Sequence, residues 1–172
     1  QLRNAACAIA ALRALDLTVD AEAMAQGVAM AQVAGRLQRF QRDGVEVLVD
    51  VAHNPQAAQA LAVALYASPA RRTCAVYAAL SDKDAVGVVH ALASQVAGWR
   101  LAGTQAAGAR GIDAAALAGR LLGTAAAGAA CHDTVTEALE AALSDVGPDG
   151  RVLVFGSFLA AGEALQFLNG SD

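Results

Sequence analysis

The stretch Val47-Leu48-Val49-Asp50-Val51-Ala52-His53-Asn54-Pro55 predicts a buried strand that turns directly into a helix. Its first five residues are apolar apart from Asp50, which is typical of a strand in a parallel sheet covered on both faces. A helix is expected to follow, because Asn54 is a favoured N-cap residue and Pro55 suits the first helical position. Asp50 and His53 therefore lie at the carboxyl end of a strand, where open α/β sheets bind their ligands.

Strand-like and helical segments alternate along most of the chain, which predicts an α/β fold. We expect a three-layer sandwich in which a mostly parallel, mixed sheet of six strands is flanked by helices and joined by right-handed crossovers. The Asp43-Gly44 pair predicts a hairpin turn, which gives the sheet one antiparallel neighbour. Residues 104–110 are rich in Gly and Ala and are expected to form a loop. The strands are expected near residues 36–41, 45–51, 71–80, 98–103, 128–131 and 151–155.

Composition excludes several classes of function. The net charge is −4 and no basic run stands out, so nucleic acid is not an expected partner. No apolar run reaches the length of a transmembrane helix, so no membrane association is expected either. The three cysteines are far apart and include no Cys-x-x-Cys pair, which favours buried thiols in a reducing cytoplasm over a metal site.

Familiar catalytic motifs are missing from the sequence. There is no Gly-x-x-x-x-Gly-Lys-[Ser/Thr] loop to hold phosphates, and no Gly-x-Gly-x-x-Gly follows a strand. A Ser157-His53-Asp50 hydrolase triad is not favoured, because Ser157 lacks a Gly-x-Ser-x-Gly turn and Asp50 is three residues from His53. His90 and His132 have no partner at metal-ligand spacing, so no metal site is expected in this chain.

Several motifs, in their order along the chain, resemble one protein family. Asp50-Val51-Ala52-His53-Asn54-Pro55, preceded by Gly35-Arg36-Leu37-Gln38, is similar to the C-terminal domain of the folylpolyglutamate synthase/dihydrofolate synthase family, within the Mur ligase superfamily. Leu80-Ser81-Asp82-Lys83-Asp84 and Val154-Phe155-Gly156-Ser157-Phe158 agree with it. Residues 1–5 resemble the segment that closes the family's N-terminal domain. The resemblance implies a Rossmann-like C-terminal domain over residues 33–172, with residues 1–32 as the end of the N-terminal ATP-binding domain and a linker.

The resemblance also implies an activity. Members of the family are ATP-dependent amide ligases that add L-glutamate to dihydropteroate, to folylpolyglutamate or to both, through an acyl phosphate. The P-loop domain that holds ATP and most of the Mg²⁺ coordination is expected outside this sequence. The chain is therefore expected to be a fragment that is inactive alone and contains no catalytic residue of its own. Its own N-terminal domain, glutamate and a folate are the implied partners, and the full-length enzyme is expected to be a cytoplasmic monomer.

Five site residues follow from the resemblance. It implies that Asn4, Arg36 and Asp50 contact ATP, and that His53 and Ser157 contact the incoming glutamate or lie close to the transferred phosphate. A guanidinium suits anionic phosphate oxygens, and an ionised carboxylate accepts hydrogen bonds from ribose hydroxyls. Ordinary structural roles stay open for each: surface polarity for Asn4 and Arg36, a helix cap for Ser157 and a backbone-bonded loop position for His53.

Two other functions stay open at this point. The chain is also compatible with the C-terminal domain of a Mur-type ligase that adds an amino acid to a peptidoglycan precursor. Asp82-Lys83-Asp84 and Phe155-Gly156-Ser157-Phe158 favour the folate branch over that alternative. A non-catalytic α/β binding module without a nucleotide site is the alternative from a different class.

Overall fold

The computed structural model describes residues 2–15, 18–31, 33–70 and 72–170. Two compact units are present, Gln1–Ala34 and Gly35–Asp172. The first unit contains helix α1 (Leu2–Ala14) and helix α2 (Ala21–Met30). Asp20 caps α2, because its carboxylate accepts a hydrogen bond from the Ala23 N–H at 2.7 Å. The boundary predicted near residue 32 falls on a residue outside the described ranges and stays a prediction.

The second unit is built on one six-stranded sheet, as the sequence predicts. Its strands lie in the order β1-β2-β6-β3-β4-β5. β1 and β2 are antiparallel and join through the Asp43-Gly44 turn, whereas the remaining neighbours are parallel. The expected mostly parallel, mixed sheet is confirmed. The strands are β1 (Gln38–Arg42), β2 (Val45–Val49), β3 (Thr73–Tyr77), β4 (Gly98–Ala102), β5 (Ala130–His132) and β6 (Arg151–Phe155).

Helices cover both faces of the sheet and complete the expected three-layer sandwich. One face packs against α3 (Pro55–Ala67), α4 (Ala85–Leu92) and α5 (Ala114–Arg120). The other face packs against α6 (Val135–Val146) and α7 (Phe158–Asn169). Because β2, β3 and β6 are covered on both faces, both sets of their alternating side chains are buried, which explains their nearly continuous apolar runs in the sequence.

Large side chains fill the layer beneath α3, α4 and α5. Leu48, Tyr77 and Phe155 come from three neighbouring strands and are each at most 1% exposed. The Tyr77 and Phe155 rings stack with their centroids 4.8 Å apart. Smaller residues, mostly Val and Ala, fill the layer beneath α6 and α7. The central strands are thereby held by packing on both sides, which fixes the positions of their carboxyl ends.

Several local expectations differ from the structure. Cys74 is buried as expected, but Cys7 and Cys131 are exposed. The strand expected over residues 45–51 ends at Val49. Residues 104–110 were expected to form a loop, but Gln105–Arg110 form a 3₁₀ helix that bends at Gly108, where φ is +64°. Its turns close through short-range backbone bonds such as Ala107 N–H to Thr104 C=O, which need no apolar periodicity. The strand expected over residues 71–80 is shorter, because the chain leaves the β3 ladder after Tyr77, and residue 71 lies outside the described ranges. Within the described ranges, no helix combines the length and apolarity that crossing a membrane requires.

Candidate functional site

Three adjacent strands end together at the carboxyl edge of the sheet. β6 lies between β2 and β3, and backbone bonds continue beyond the strands, from Asp50 N–H to Val154 C=O at 3.0 Å and from Ala78 N–H to Phe155 C=O at 3.1 Å. The turns that follow these strands contain three of the motifs found in the sequence, and the fourth, residues 35–38, leads into β1 beside the turn after β2. The predicted residues of the second unit are therefore gathered at one edge, as parallel topology requires.

Asp50 follows β2 and is held by backbone groups. Its Oδ2 accepts a hydrogen bond from Leu37 N–H at 2.9 Å, and its Oδ1 accepts one from Ala52 N–H at 2.7 Å. The residue is 8% exposed. Both carboxylate oxygens thus have a partner within the protein. The prediction that Asp50 contacts ATP directly stays untested, and the geometry assigns it a structural contact first.

Arg36 lies in a tight segment that is tied to the same turn. Val51 N–H donates to Gly35 C=O at 2.9 Å, and Gly35 N–H donates to Gln38 Oε1 at 3.1 Å. The backbone folds back through left-handed conformations, with φ of +67° at Gly35 and +46° at Leu37. Arg36 is exposed between them, and in the described part of the chain no carboxylate forms an ion pair with it. Its guanidinium is free to meet an anion from solvent.

The His53 imidazole is oriented by one backbone bond. Its Nδ1 lies 2.9 Å from the carbonyl oxygen of Val51. A carbonyl oxygen only accepts, so Nδ1 carries the proton and Nε2 of the neutral ring is an acceptor. The side chain is half-buried, and its ring centroid is 6.3 Å from that of Phe158. His53 is thus the backbone-bonded loop residue that its ordinary structural role predicts, and it also has a second nitrogen that this bond leaves free.

Ser157 caps the last helix. Its Oγ accepts a hydrogen bond from Ala160 N–H at 3.0 Å, and the residue is 3% exposed. This bond uses an oxygen lone pair, so it does not occupy the hydroxyl proton. Gly156 adopts φ of +119°, and a Cβ there would lie 2.7 Å from the Ala78 carbonyl oxygen and 2.8 Å from the Tyr77 ring. The space that this glycine provides is therefore filled by β3 and its turn.

The remaining predicted residue belongs to the other unit. Asn4 is exposed on α1, in the unit Gln1–Ala34. A role for Asn4 at ATP stays a prediction. An ordinary polar position on a helix surface accounts for its exposure equally well.

The turn after β3 contains interactions that the sequence did not predict. Arg110 donates two hydrogen bonds from Nη2 to the Asp82 carboxylate, at 2.9 and 3.0 Å. This guanidinium, with a smaller contribution from Lys83, lowers the pKa of the Asp82 carboxyl. Arg120 donates to the Ser81 carbonyl oxygen at 3.0 Å and also to that of Lys83. No local pattern indicates these bonds, because Arg110 and Arg120 are 28 or more residues from their partners.

Phe158 is a further residue at this edge that sequence reasoning did not single out. It is 68% exposed, although large aromatic side chains usually bury most of their surface. It follows Ser157 directly and approaches the His53 ring. Its place inside the motif of residues 154–158 was the one sequence signal that pointed to the site. Apolar periodicity alone would have assigned Phe158 to the core.

The structure also has a cavity away from this edge. A shallow cavity of about 250 Å³ lies at the opposite edge of the sheet, beside Thr73 and Arg151 at the starts of β3 and β6. Within the described ranges, no group of three or more His, Cys, Asp or Glu side chains is placed to hold a metal ion. The carboxyl edge thus offers hydrogen-bonding and charged groups to a ligand.

Comparisons with known proteins point to one family. The model of the Mur ligase glutamate ligase domain matches residues 35–158. Dihydrofolate synthase/folylpolyglutamate synthase of Escherichia coli (strain K12) is 36% identical over 167 residues, which cover 96% of this chain and 38% of that protein. The chain thus spans well under half the length of this relative.

Solved structures agree with the sequence matches. Escherichia coli FolC in complex with DHPP and ADP superposes with a TM-score of 0.84 at 36% identity, covering 97% of this chain and 39% of that one. A bifunctional folylpolyglutamate synthase/dihydrofolate synthase with Mn, AMPPNP and L-glutamate bound gives 0.87 at 33% identity, covering 98% and 39%. The fold predicted from the sequence is therefore found in these ligases.

Proposed function

This chain belongs to the Mur ligase family as a glutamate ligase domain, and from that premise we propose that it works in an ATP-dependent ligase that adds L-glutamate to dihydropteroate, to a folylpolyglutamate or to both. The observation behind the proposal is that Arg36, His53 and Ser157 come together at the carboxyl edge of the sheet, where Arg36 is exposed and His53 and Ser157 each keep a hydrogen-bonding group that their own bonds do not occupy. The names of the relatives favour the folate branch over a peptidoglycan ligase.

The nucleotide side of the proposed site is formed by Arg36 and Asp50. Arg36 is exposed and has a planar fork of donors that matches phosphate oxygens. Asp50 lies beside it and anchors its segment. The solved relatives with ADP or AMPPNP support a nucleotide as the ligand of this family. In our proposal the chain contributes these groups to an ATP site that an N-terminal domain completes, with Asn4 near the adenine.

Magnesium does not fit this chain's own residues well. Asp50 is a single carboxylate that bonds to the backbone beside Arg36, and each of its oxygens accepts a backbone hydrogen bond. A hard cation requires several oxygen ligands, most often carboxylates with free lone pairs. We therefore assign Mg²⁺ to the ATP-binding domain and derive no step of the reaction through it here.

The glutamate side is formed by His53 and Ser157. The incoming amino acid presents an ammonium group and carboxylates, and its nitrogen must lose a proton before it attacks the acyl phosphate. Nε2 of His53 is an acceptor in the neutral ring and suits the ammonium, while the Ser157 hydroxyl proton suits a carboxylate oxygen. The amide bond forms as the carbon–oxygen bond to phosphate breaks. Positioning of the amine is the chain's contribution to that step.

The location and assembly of the ligase are also proposals. Three cysteines without a paired motif suit a reducing compartment, so the cytoplasm is the proposed location. A monomeric full-length enzyme, in which this domain closes on the nucleotide-binding domain, would shield the acyl phosphate from water.

The activity test uses the full-length ligase that carries this chain. We expect ADP release that requires both L-glutamate and either dihydropteroate or a reduced folate, with one glutamate added for each ATP consumed. Mass spectrometry of the folate product measures that addition. Turnover with a peptidoglycan precursor and none with pteridine substrates would overturn the folate assignment, and absence of any ligation would overturn the ligase assignment.

The residue test separates the two sides of the site. Ser157→Ala and His53→Ala are expected to raise the glutamate KM several-fold with little change in the ATP KM, and Arg36→Ala is expected to do the reverse. Matched controls are exposed residues of the same types elsewhere: Ser144→Ala, His90→Ala and Arg39→Ala. If Ser157→Ala lowers stability and leaves the glutamate kinetics unaltered, Ser157 acts only as a helix cap.

A further inference from the structure

We propose that Arg100 and His132 form a pH-sensitive latch, a hydrogen-bonded pair that holds the outer strand β5 against β4 while the imidazole is neutral and releases it when the imidazole is protonated. These two strands carry none of the residues of the proposed ligase site. The latch is therefore separate from the proposed function, and neither depends on the other.

The bond between the two residues requires a neutral imidazole. Nη1 of Arg100 lies 3.0 Å from Nε2 of His132. A guanidinium has only donors, so Nε2 is the acceptor and the single proton of the ring is on Nδ1. A second proton, on Nε2, removes this acceptor and brings two cations to hydrogen-bond distance. Protonation of His132 therefore replaces an attraction with a repulsion at the same pair of atoms.

Arg100 has little freedom to turn away from a protonated ring. Its Nη2 donates to the Asp145 carboxylate on α6, and its side chain is only 16% exposed. Asp145 balances the charge of Arg100 but contacts the other terminal nitrogen, so the N–H that meets His132 keeps its positive end toward the ring. Burial raises the pKa of the Cys74 thiol on the neighbouring strand β3, so this thiol is uncharged at neutral pH and does not compete for the guanidinium.

The remaining charge that α6 presents to His132 does not reverse this effect. The Glu137 carboxylate favours the protonated ring, but it also accepts a hydrogen bond from the Asp133 N–H at 3.1 Å. Burial of the imidazole, followed by the Arg100 guanidinium, outweighs Glu137 and lowers the pKa of His132. The folded chain therefore favours the neutral ring, which is the form that the bond to Arg100 requires.

The other face of β5 packs against α5. The Cys131 thiol donates to the Ala114 carbonyl oxygen on that side at 3.5 Å. The charged groups of α5 are engaged elsewhere, since Asp113 caps the helix and Arg120 donates to the Ser81 carbonyl oxygen in the turn after β3. Control of the charge on His132 thus comes from β4 and α6.

β5 is the part of the sheet that the latch is able to release. It has only three residues, Ala130–His132, and β4 is its only neighbour in the sheet. Ala130 and Cys131 are exposed, and the ladder ends with the bond from Gly103 N–H to the His132 carbonyl oxygen at 3.1 Å. A short edge strand with few buried contacts opens locally at low cost. The loss of one side-chain bond therefore has a large effect on β5 and a small one on the central strands.

The latch stabilises β5 at neutral pH and weakens on acidification. Because the folded chain lowers the pKa of His132, the opened or unfolded chain binds more protons as the pH falls. The stabilisation is present in full above the ordinary histidine pKa of about 6.5 and is lost as the pH falls through it. Below the lowered folded-state pKa the loss is complete.

The first test measures amide hydrogen exchange of residues 99–103 and 130–132 in the full-length protein that carries this chain. We expect the protection factors of these amides to fall several-fold in the wild type between about pH 7.5 and about pH 5.5. His132→Gln has a neutral side-chain acceptor that does not titrate, so its protection factors are expected to stay constant over this range. His90→Gln is the matched control, because His90 is exposed on α4, and it is expected to behave like the wild type.

The second test follows the His132 ring itself by NMR with selectively labelled histidine. We expect the proton on Nδ1 and none on Nε2 at about pH 7.5, as the bond to Arg100 requires. Arg100→Gln removes the positive charge, so it is expected to raise the pKa of His132 toward its ordinary value.

An equal fall of protection in the wild type and in His132→Gln would overturn the proposal, because the pH effect would then come from other groups. A proton on Nε2 of His132 at neutral pH would also overturn it, since the ring could not accept from Arg100. A His132 pKa that Arg100→Gln leaves unchanged would show that the guanidinium does not oppose protonation, and would count against the latch. The NMR measurement uses the wild-type ring, so it decides the proposal even where His132→Gln does not fold.

Discussion

The turn after β2 and the turn after β3 both lead from a parallel strand into a helix, but different kinds of bond hold them. Each ends in a side-chain cap: Asn54 accepts the Ala57 N–H at 2.8 Å, and Asp84 accepts the Gly87 N–H at 2.9 Å. In the first turn a buried aspartate, Asp50, accepts two backbone N–H groups. In the second, the exposed Asp82 pairs with side-chain cations instead.

Because of this difference, we expect the turn after β2 to be rigid and the turn after β3 to be adjustable, although both lie at the same edge of the sheet. Backbone donors cannot move away from the Asp50 carboxylate without unfolding the turn, and burial excludes competing water. The Asp82 pairs are solvent-exposed, so water and salt compete with them, and long side chains such as that of Arg110 can reorient at little cost. We expect the first turn to hold one geometry and the second to adapt.

The largest expected effect is that of Asp50→Ala on the 172-residue chain. Removal of the carboxylate leaves the Leu37 and Ala52 N–H groups without their charged acceptor, and bonds of that kind contribute about 1.5–3 kcal/mol each. We expect the free energy of unfolding to fall by roughly 3 kcal/mol or more, measured by urea denaturation. Asp82→Ala is the matched comparison and is expected to change it far less. Similar losses of unfolding free energy in the two variants would show that the two turns are held equally strongly.

The next effect tests whether the two caps are equivalent. Asn54→Ala and Asp84→Ala each remove one side-chain bond to a backbone N–H in the first turn of a helix. We expect each to lower the free energy of unfolding by about 1 kcal/mol, with the two losses agreeing within about 0.5 kcal/mol. Equal losses would show that the two turns differ only in the bonds of Asp50 and Asp82, and not in their helix caps. A cap at Asn54 that contributes much more than the cap at Asp84 would show that the first turn is stronger throughout.

The smallest expected effect is that of Arg110→Ala on the melting temperature. This effect is recognised by its dependence on pH. Because Arg110 lowers the folded-state pKa of Asp82, the pair stabilises the fold above the ordinary aspartate pKa. That stabilisation is lost as the pH falls through the folded-state value. Melting temperatures of the wild type and Arg110→Ala are expected to differ slightly at about pH 7 and to converge only once the pH has fallen below the lowered pKa of Asp82. A difference that grows on acidification would contradict this assignment.

Sequence patterns predicted the layers of this fold because its central strands are covered on both faces. Segments such as residues 47–51 and 151–155 are apolar almost without interruption, and Asn54-Pro55 marks a helix start that α3 confirms. These signals are local and arise from burial and capping, which act on neighbouring residues. The 3₁₀ helix at Gln105–Arg110 escaped prediction, because Gly and Ala there create no periodic apolar pattern.

The hydrogen bonds that organise the candidate site could not be predicted from these local sequence patterns. Asp50 and Leu37 are 13 residues apart, and their bond depends on a left-handed backbone that leucine seldom adopts. Arg110 and Asp82 are 28 residues apart on unrelated elements. The sequence predicted that His53 and Ser157 lie at strand ends. The tautomer of His53 and the capping bond of Ser157 depend on contacts that form only in the folded chain. Their assignment to glutamate stays a prediction.

The position of β6 has a consequence for how the protein is made. β2 and β3 both pair with β6 rather than with each other, yet β6 is the last of the described strands in the sequence. During synthesis, β1–β2 and β3–β4–β5 are therefore two separate ladders until residues 151–155 leave the ribosome. An isolated two-stranded hairpin is marginally stable in water, and an open strand edge is prone to pair with other chains. Arrest or cleavage of the nascent chain before residue 151 would leave both edges open, and aggregation is the outcome we expect from such a truncated product.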